Sequence, residues 1–304
     1  MIGILLMAYG GPNNLEEVEP YLLDVRGYRP TSQEIIHEVR DRYRQIGGRS
    51  PILERTQDQA RALEAALNKD GERFKVFVGM RHWRPFIDQT LTEMSDAGIE
   101  NAFGLVMAPH YSRLSIGAYI KKVREAETDL EIEPIERWHL LPGYLDALAG
   151  RVRAALQSFS DDVRDEVPVI FTAHSLPERI LEWNDPYADE LQATVVELGK
   201  RIGPNPYEFA FQSAAISSDP WLGPDAGEVI ERLASEGRRH VLIAPIGFVC
   251  EHVEVLYDVD IVFKEQADAL GMQLERIEML NTDPKMIDGL AELVQNIAKE
   301  KKWL

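Results

Sequence analysis

Cysteine is almost absent, since Cys250 is the only one among 304 residues. A single thiol cannot form an internal disulfide. It also cannot supply the cysteine set that a structural zinc site or an iron–sulfur cluster needs. We therefore expect no iron–sulfur cluster, and the scarcity of cysteine fits a reducing compartment.

Long apolar runs are also missing. The longest, Ile2–Ala8 and Val241–Val249, fall well short of the roughly 20 residues that a membrane-spanning helix requires. The sequence shows no basic leader with a small-residue cleavage site, so we expect no signal peptide. These features predict a cytoplasmic protein without a transmembrane segment.

Positive charge is in short supply. The chain has 33 Lys and Arg against 51 Asp and Glu, a net charge of −18, which repels phosphate backbones and makes nucleic acid an unfavourable partner. Residues 26–49 are an exception, because six arginines accompany only three acidic residues there. This cluster is either a solvated helix face or a local anion site. Its arginines are Arg26, Arg29, Arg40, Arg42, Arg44 and Arg49.

Several catalytic motifs are missing. The sequence contains no Walker loop, no G-x-G-x-x-G after a strand and no nucleophile-elbow serine, which argues against nucleotide-dependent chemistry and serine hydrolysis. Ser175 does follow His174 directly. Neighbouring side chains at a strand end point apart, however, so these two are not expected to form a catalytic pair.

The apolar residues are arranged in runs rich in Val, Ile and Phe that alternate with helical patterns. This alternation predicts an α/β fold in which helices cover a parallel sheet. One helix is predicted over Ser32–Ile46, with Thr31 and Glu34 at capping-box spacing and Gly47-Gly48 at its end. The predicted strands are 2–8, 74–79, 102–108, 133–138, 168–173, 207–212, 240–246 and 272–277.

Weak internal similarity divides these strands into two sets of four. Segments 5–10 and 170–175 both close a strand with a small and a polar residue, and segments 106–110 and 242–246 both contain Ala-Pro. Such short echoes also arise by chance. If the repeat is real, it predicts two similar doubly wound lobes with parallel four-stranded sheets, residues 1–140 and 141–304, and an active-site cleft between them. Tyr9, His110 and His174, at strand ends, should then face this cleft.

His174 follows a buried apolar strand, where a histidine can be a metal ligand, a base or a hydrogen-bonded structural residue. Segment 247–260 begins at another strand end and is predicted to continue as a helix. Its acidic residues either complement the helix dipole or carry a cation inward. Helical spacing places Glu251, Glu254 and Asp258 on one face and Val255, Val259 and Val262 on another.

These two segments carry a family resemblance. Ala173-His-Ser-Leu-Pro177, together with Gly247-Phe-Val-x-x-His-x-Glu-x-Leu-Tyr257, resembles the ferrochelatase family. Further blocks at 42–51, 79–85 and 220–224 match the family in order, so that the similarity covers essentially the whole chain. The resemblance implies a chelatase-like fold and an enzyme that inserts ferrous iron into a porphyrin for haem biosynthesis.

Within the family, the chain looks most like the bacterial branch that uses coproporphyrin III and whose product is later decarboxylated to haem b. The short length, the lack of cluster cysteines, and segments 7–10 and 108–112 carry this likeness. A protoporphyrin IX ferrochelatase is the alternative, although that branch usually has another residue in place of Tyr9. A cobalt or nickel tetrapyrrole chelatase and a non-catalytic tetrapyrrole carrier are more remote. Retention of His174 and Glu254 disfavours the carrier.

The resemblance also implies the site. It assigns His174 and Glu254 to the iron and to catalysis, and Tyr9 to the opposite axial side of the metalloporphyrin. Porphyrin and Fe²⁺ are then the substrates, no cofactor is tightly bound, and transient contact with neighbouring haem-pathway enzymes is expected. Some members have a carboxylate where this chain has Val262, so an outer Mg²⁺ site is not expected. The residues implied at the macrocycle and its propionates are Arg26, Arg42, Tyr43, Ser50 and Tyr119.

Overall fold

The computed structural model describes residues 1–214 and 219–304. Within them, eight strands form two parallel four-stranded sheets with the equivalent orders β2-β1-β3-β4 and β6-β5-β7-β8. All eight predicted strands are confirmed, as are the α/β class and the two similar lobes. The strands are β1 Ile2–Ala8, β2 Phe74–Met80, β3 Asn101–Val106, β4 Glu131–Ile135, β5 Val169–His174, β6 Tyr207–Gln212, β7 His240–Pro245 and β8 Gln273–Arg276.

Helices connect the strands and cover both faces of each sheet, which is why β1 is buried at every position. No helix in the described ranges is long and apolar enough to span a membrane. The α-helices are α1 Val18–Val25, α2 Gln33–Gln45, α3 Ile52–Leu67, α4 Ile87–Asp96, α5 Ile116–Glu125, α6 Pro142–Leu156, α7 Tyr187–Ile202, α8 Ala226–Ser235, α9 Lys264–Ala269 and α10 Pro284–Glu300. Short 3₁₀-helices occupy Leu15–Glu17, Arg164–Glu166 and Glu178–Trp183, and a π-helix occupies Glu254–Phe263.

Helix α2 matches its prediction except at the first turn. The N-cap is Ser32, whose extended backbone lets Oγ accept the Ile35 N–H at 3.4 Å, so the predicted capping box at Thr31 is wrong by one residue. The glycine stop is confirmed. Gly48 has a φ of +84° and donates its N–H to the Tyr43 carbonyl at 2.8 Å.

The two lobes share one apolar core. Helix α10, at the end of the chain, packs against α6 of the second half and α3 of the first. Beyond it, the ring of Trp303 lies 4.8 Å from that of Phe103 in β3. The last residues therefore return to the first sheet. The division between 140 and 141 remains a prediction.

Helices α6 and α10 approach each other through glycines. A Cβ on Gly143 would lie 2.2 Å from the Lys285 carbonyl oxygen, and one on Gly289 would lie 3.4 Å from the Gly143 Cα. The first distance leaves no room for a side chain, whereas the second is an ordinary van der Waals contact that shows how closely the two helices approach. Gly150, later in α6, has no atom within 4 Å of the corresponding point.

Gly143 and Gly150 make a matched pair for a stability measurement. We expect Gly143→Ala to lower the free energy of unfolding by about 1–3 kcal/mol, because the helices must separate. Gly150→Ala should stabilise the protein by up to about 1 kcal/mol, because alanine is the better helix former. Equal effects in denaturant unfolding would contradict the close helix crossing.

Candidate metal and porphyrin site

The segment after β7 lies against the first lobe near the carboxyl ends of its strands. Cys250 packs with Ala8 and Met80 in one apolar cluster. The guanidinium of Arg42, in α2, lies 5.3 Å from the ring centroid of Tyr257 in the π-helix. Residues from the two lobes thus meet where the sequence predicts a cleft.

The central contact joins the end of β5 to the start of the π-helix. Nδ1 of His174 lies 3.0 Å from Oε2 of Glu254, and each side chain keeps 32% of its surface exposed. The ring of Trp221 flanks the imidazole edge-on, with 6.3 Å between the two ring centroids. The two predicted metal-site residues therefore form one half-buried, hydrogen-bonded pair.

Burial and charge oppose each other in this pair. Burial disfavours the imidazolium, but the neighbouring Glu254 carboxylate outweighs it and raises the pKa of His174. Burial tends to raise the pKa of Glu254, but the charge and hydrogen bond of His174 outweigh burial and lower the pKa of this carboxyl. Both directions favour the imidazolium–carboxylate form, so a metal ion that binds here displaces a proton.

Backbone contacts hold both members in place. The hydroxyl of Tyr187 donates to the His174 carbonyl at 2.9 Å. The N–H of Glu254 donates to Nδ1 of His252 at 3.1 Å, and Nε2 of Gln212 donates to the Glu254 carbonyl at 3.2 Å. The pair is thus fixed by residues on β6, on the loop after β7 and at the start of α7.

The acidic helix differs from its prediction at two positions. It begins only at Glu254, so Glu251 precedes it and contacts Arg55 and Asn281 at 3.0 and 3.1 Å. The wider π-helical turn also rotates Val262 out to 40% exposure, whereas Val255 and Val259 stay buried. The predicted α-helical faces are therefore wrong for Glu251 and Val262.

Asp258, further along the π-helix, does remain on the side of Glu254. Burial is the largest influence and, with the charge of Glu254, raises the pKa of Asp258 to about 6, although the Ser213 hydroxyl donates to its carboxylate. A second carboxylate, with a higher pKa than Glu254, therefore lies near the pair as a proton acceptor.

Tyr9 follows β1 on the first lobe and keeps 39% of its surface exposed. Its ring lies 4.6 Å from that of His82 and 5.9 Å from the Arg81 guanidinium. The enclosing walls shield the hydroxyl and raise the pKa of Tyr9 to about 12, against the charge of Arg81 and with a contribution from Glu254. The charge of the Glu254 carboxylate in the second lobe thus acts on Tyr9 in the first.

Three predicted porphyrin-contacting residues are buried. Tyr43 packs edge-on against Tyr21 at 6.4 Å, and the Ser50 hydroxyl accepts the Ile52 N–H at 3.4 Å. Tyr119 lies beneath Arg81, 5.3 Å from its guanidinium. Their roles at the macrocycle remain predictions.

The arginine cluster divides into members paired with carboxylates and members without such a partner among the described residues. Arg42 pairs with Glu38 at 2.6 Å and Arg49 with Glu54 at 3.1 Å, while Arg44 pairs with Asp41, as expected of a solvated face. Arg26 is exposed, and no carboxylate in the described ranges lies within 4 Å of its guanidinium. Arg26 is therefore the available anion-binding side chain among those predicted to contact propionates.

His110 does not face the cleft as predicted. It is only 2% exposed, and its Nε2 lies 2.8 Å from the Thr194 hydroxyl. Helix α7, which carries Thr194, covers this strand end and separates His110 from the cleft. The prediction for His110 is wrong.

Sequence patterns missed several residues around the site. His82 is hydrogen-bonded to Asp24 at 2.7 Å, and burial lowers the pKa of His82 to about 4 despite this partner. Arg81 and His82 lie in the block at 79–85, so a signal for them existed. Asp24 and Tyr187 carried none, because each acts through a partner distant in sequence.

Replacing the Glu254 carboxylate should show how strongly it raises the pKa of His174. In Glu254→Gln, burial remains and the opposing charge is lost, so we expect the pKa of His174 to fall below the ordinary 6.5. Histidine NMR titration would measure it, with the exposed Glu265→Gln as control. An unchanged His174 pKa in Glu254→Gln would contradict the electrostatic coupling.

The sign of this coupling also sets a stability window. A raised His174 pKa contributes stability that is present below the unfolded value and lost as pH rises through the folded value. A lowered Glu254 pKa contributes stability above its unfolded value that is lost on acidification. The wild-type protein should therefore be more stable than Glu254→Gln at intermediate pH, and this difference in the free energy of unfolding should disappear at low and at high pH.

Comparisons with known proteins agree with this geometry. A family model described as Ferrochelatase matches residues 1–298. A ferrochelatase from Deinococcus radiodurans is 44% identical over 305 residues, covering 98% of this chain and 96% of that protein. A coproporphyrin III ferrochelatase from Listeria monocytogenes is 40% identical over 301 residues, covering 96% and 97%.

A solved structure agrees in fold. SirB from Bacillus subtilis with Fe³⁺ has a TM-score of 0.61 at 10% identity, covering 99% of this chain and 97% of that one. This likeness supports the architecture alone. The family model and the relatives together show that the chain belongs to the ferrochelatase family, enzymes that insert a metal ion into a porphyrin.

Proposed function

We propose that the enzyme inserts Fe²⁺ into coproporphyrin III, with His174 and Glu254 as the residues that receive the metal. The hydrogen bond between them is the observation that carries the proposal. An imidazole beside a carboxylate is a donor set that suits Fe²⁺, as it would Co²⁺ or Zn²⁺. In this proposal Tyr9 faces one side of the macrocycle, and the His174–Glu254 pair faces the other side.

The residues present fit a metal that passes through rather than one that stays. No group of three or more His, Cys, Asp or Glu within residues 1–214 and 219–304 is arranged to hold a metal ion. Two protein ligands leave coordination positions for water and then for the pyrrole nitrogens. We therefore treat Fe²⁺ as a substrate, and the single cysteine supports the proposal that no iron–sulfur cluster or other cofactor is tightly bound.

Metallation exchanges two pyrrole protons for Fe²⁺, and a flat macrocycle presents its lone pairs poorly for this exchange. The walls of the cleft must therefore bend the ring, using binding energy from its edges. The Glu254 carboxylate offsets part of the metal charge, and His174, in its neutral form, receives the metal or a proton. Asp258, with its raised pKa, can take a proton onward from Glu254.

The choice of coproporphyrin III rests on charge. Four carboxylates must bind to a chain of net charge −18, so local cations have to offset the overall repulsion. Arg26 is exposed and has no acidic partner among the described residues, and an arginine fork matches a carboxylate. The name of the Listeria relative supports this choice, while that of the Deinococcus relative leaves protoporphyrin IX as the alternative.

The setting of the reaction is part of the same proposal. A single cysteine, which allows no internal disulfide, supports a cytoplasmic location. The product of coproporphyrin metallation needs a further enzyme to become haem b, so we also propose transient contact with neighbouring enzymes of the pathway.

The experiment that tests the proposal is an anaerobic assay that offers Fe²⁺ with coproporphyrin III and protoporphyrin IX side by side. The proposal predicts faster metallation and tighter binding of coproporphyrin III. Preferential metallation of protoporphyrin IX would contradict it.

His174→Ala should separate metal handling from porphyrin binding. We expect metallation to be lost while the porphyrin Kd stays within about tenfold, because the side chain acts on metal and protons rather than on the macrocycle edge. Fluorescence quenching would give the Kd and anaerobic turnover the rate. Near-normal turnover would remove His174 from the mechanism.

Arg26→Ala should weaken coproporphyrin binding more than protoporphyrin binding. Removing one charge-assisted hydrogen bond costs roughly 1.5–3 kcal/mol when the bond is shielded from water and less when it is exposed. The preference of wild type should also shrink at high salt, because exposed charges are screened. Porphyrin affinity at two ionic strengths measures both effects.

Arg44→Ala is the matched control, because it removes the same charge from an arginine already paired with Asp41. It should leave the ratio of the two affinities unchanged. Equal losses of affinity in the Arg26 and Arg44 variants would mean that net charge alone explains the effect. That result would contradict a specific contact between Arg26 and a propionate.

A further inference from the structure

Two buried carboxylates near the start of α7 bind the loop that follows β3. Asp185 is 6% exposed, and its Oδ2 accepts the Ser112 hydroxyl at 3.1 Å and the Arg113 N–H at 2.8 Å. Its other oxygen accepts the Tyr187 N–H at 3.1 Å. Asp185 is thus a hydrogen-bonded junction between the two lobes.

Glu190 makes the second attachment. It is also 6% exposed, and it accepts the Tyr111 N–H at 2.7 Å and pairs with Arg137 at 3.2 Å. Burying a carboxylate is costly unless donors compensate, so two such residues aimed at one loop specify its position closely.

The same junction reaches the metal-binding pair. The Tyr187 side chain is 7% exposed, and its hydroxyl donates to the His174 carbonyl at 2.9 Å. Burial raises the pKa of Tyr187, so the hydroxyl keeps its proton and remains a donor. A path made of three hydrogen bonds and the Tyr187 residue itself therefore connects the His174 carbonyl to Asp185 and Arg113.

At its other end the path reaches the wall that carries Tyr9. The Leu114 carbonyl, next to Arg113, accepts a hydrogen bond from Nη1 of Arg81 at 3.3 Å. Arg81 in turn lies over the rings of Tyr9 and Tyr119. The loop thus joins a residue that touches Tyr9 to the segment that holds His174.

We propose that Tyr187 and Asp185 are positioning residues for metal insertion. They set the position of His174 relative to the opposite wall of the cleft without touching metal or porphyrin. The inference rests on the proposed role of His174. Transfer of a metal into a ring held between two walls requires a fixed separation, and small misplacements of reacting groups are costly.

Tyr187→Phe tests the path by removing one hydroxyl and no ring. We expect the apparent KM for Fe²⁺ to rise by about tenfold, as is typical when a partner that orients a metal ligand is lost. The porphyrin Kd should stay within about twofold, because the groups at the porphyrin edge are untouched. Tyr207→Phe, which removes a hydroxyl from a tyrosine 44% exposed on β6, is the control.

Asp185→Asn supplies a second variant and a coupling test. It keeps the size of the side chain but replaces one of the two accepting oxygens with an NH₂ group, which then faces a donor and cannot accept its hydrogen bond. Because both residues act on one path, the Fe²⁺ defects of the double variant should be less than the product of the single defects. Thermal unfolding of each variant separates loss of stability from loss of position.

His174→Ala distinguishes the two levels of the proposal. If that variant loses metallation but Tyr187→Phe keeps the wild-type KM for Fe²⁺, the positioning role is overturned and the proposed function stands. If His174→Ala retains turnover, the proposed function fails first. A lowered melting temperature in Tyr187→Phe with unchanged Fe²⁺ kinetics would mean that Tyr187 is structural only, which also overturns the inference.

Discussion

The hydrogen bond between His174 and Glu254 depends on the register between β5 and β7, two neighbouring strands of the second lobe. One residue ends a central strand and the other begins a π-helix after the neighbouring strand. Each alone would be an ionisable group kept partly out of water at a cost, whereas together they compensate each other. Their opposite pKa shifts express that compensation and leave the pair ready to exchange a proton for a cation.

The rest of the fold supplies a base for this pair and a wall opposite it. Helix α10 crosses α6 closely at Gly143 and also packs against α3 of the first lobe, so the two lobes share one apolar core. Above the core, polar contacts such as those of Asp185 hold loops rather than helices. This division is physically sensible, because apolar packing fixes the lobes as bodies while directional hydrogen bonds fix individual side chains.

Periodicity predicted the strands and the two lobes, and strand-end logic placed Tyr9 and His174 at the carboxyl ends of their sheets, since parallel strands expose those ends at one edge. The same logic failed for His110, which a covering helix separates from the cleft. It also failed for Glu251 and Val262, because the π-helical turn departs from ordinary helical spacing. Tyr187 and Asp185 had no local pattern at all. Their contacts join segments far apart in the chain, which only the folded structure brings together.

A crystal structure of the enzyme with iron coproporphyrin III bound is the most direct measurement of the central claim. The iron should lie between Tyr9 and His174, with Glu254 on the histidine side and a propionate at Arg26. A macrocycle bound outside the space between Tyr9 and His174, or one whose iron faces neither residue, would contradict the account.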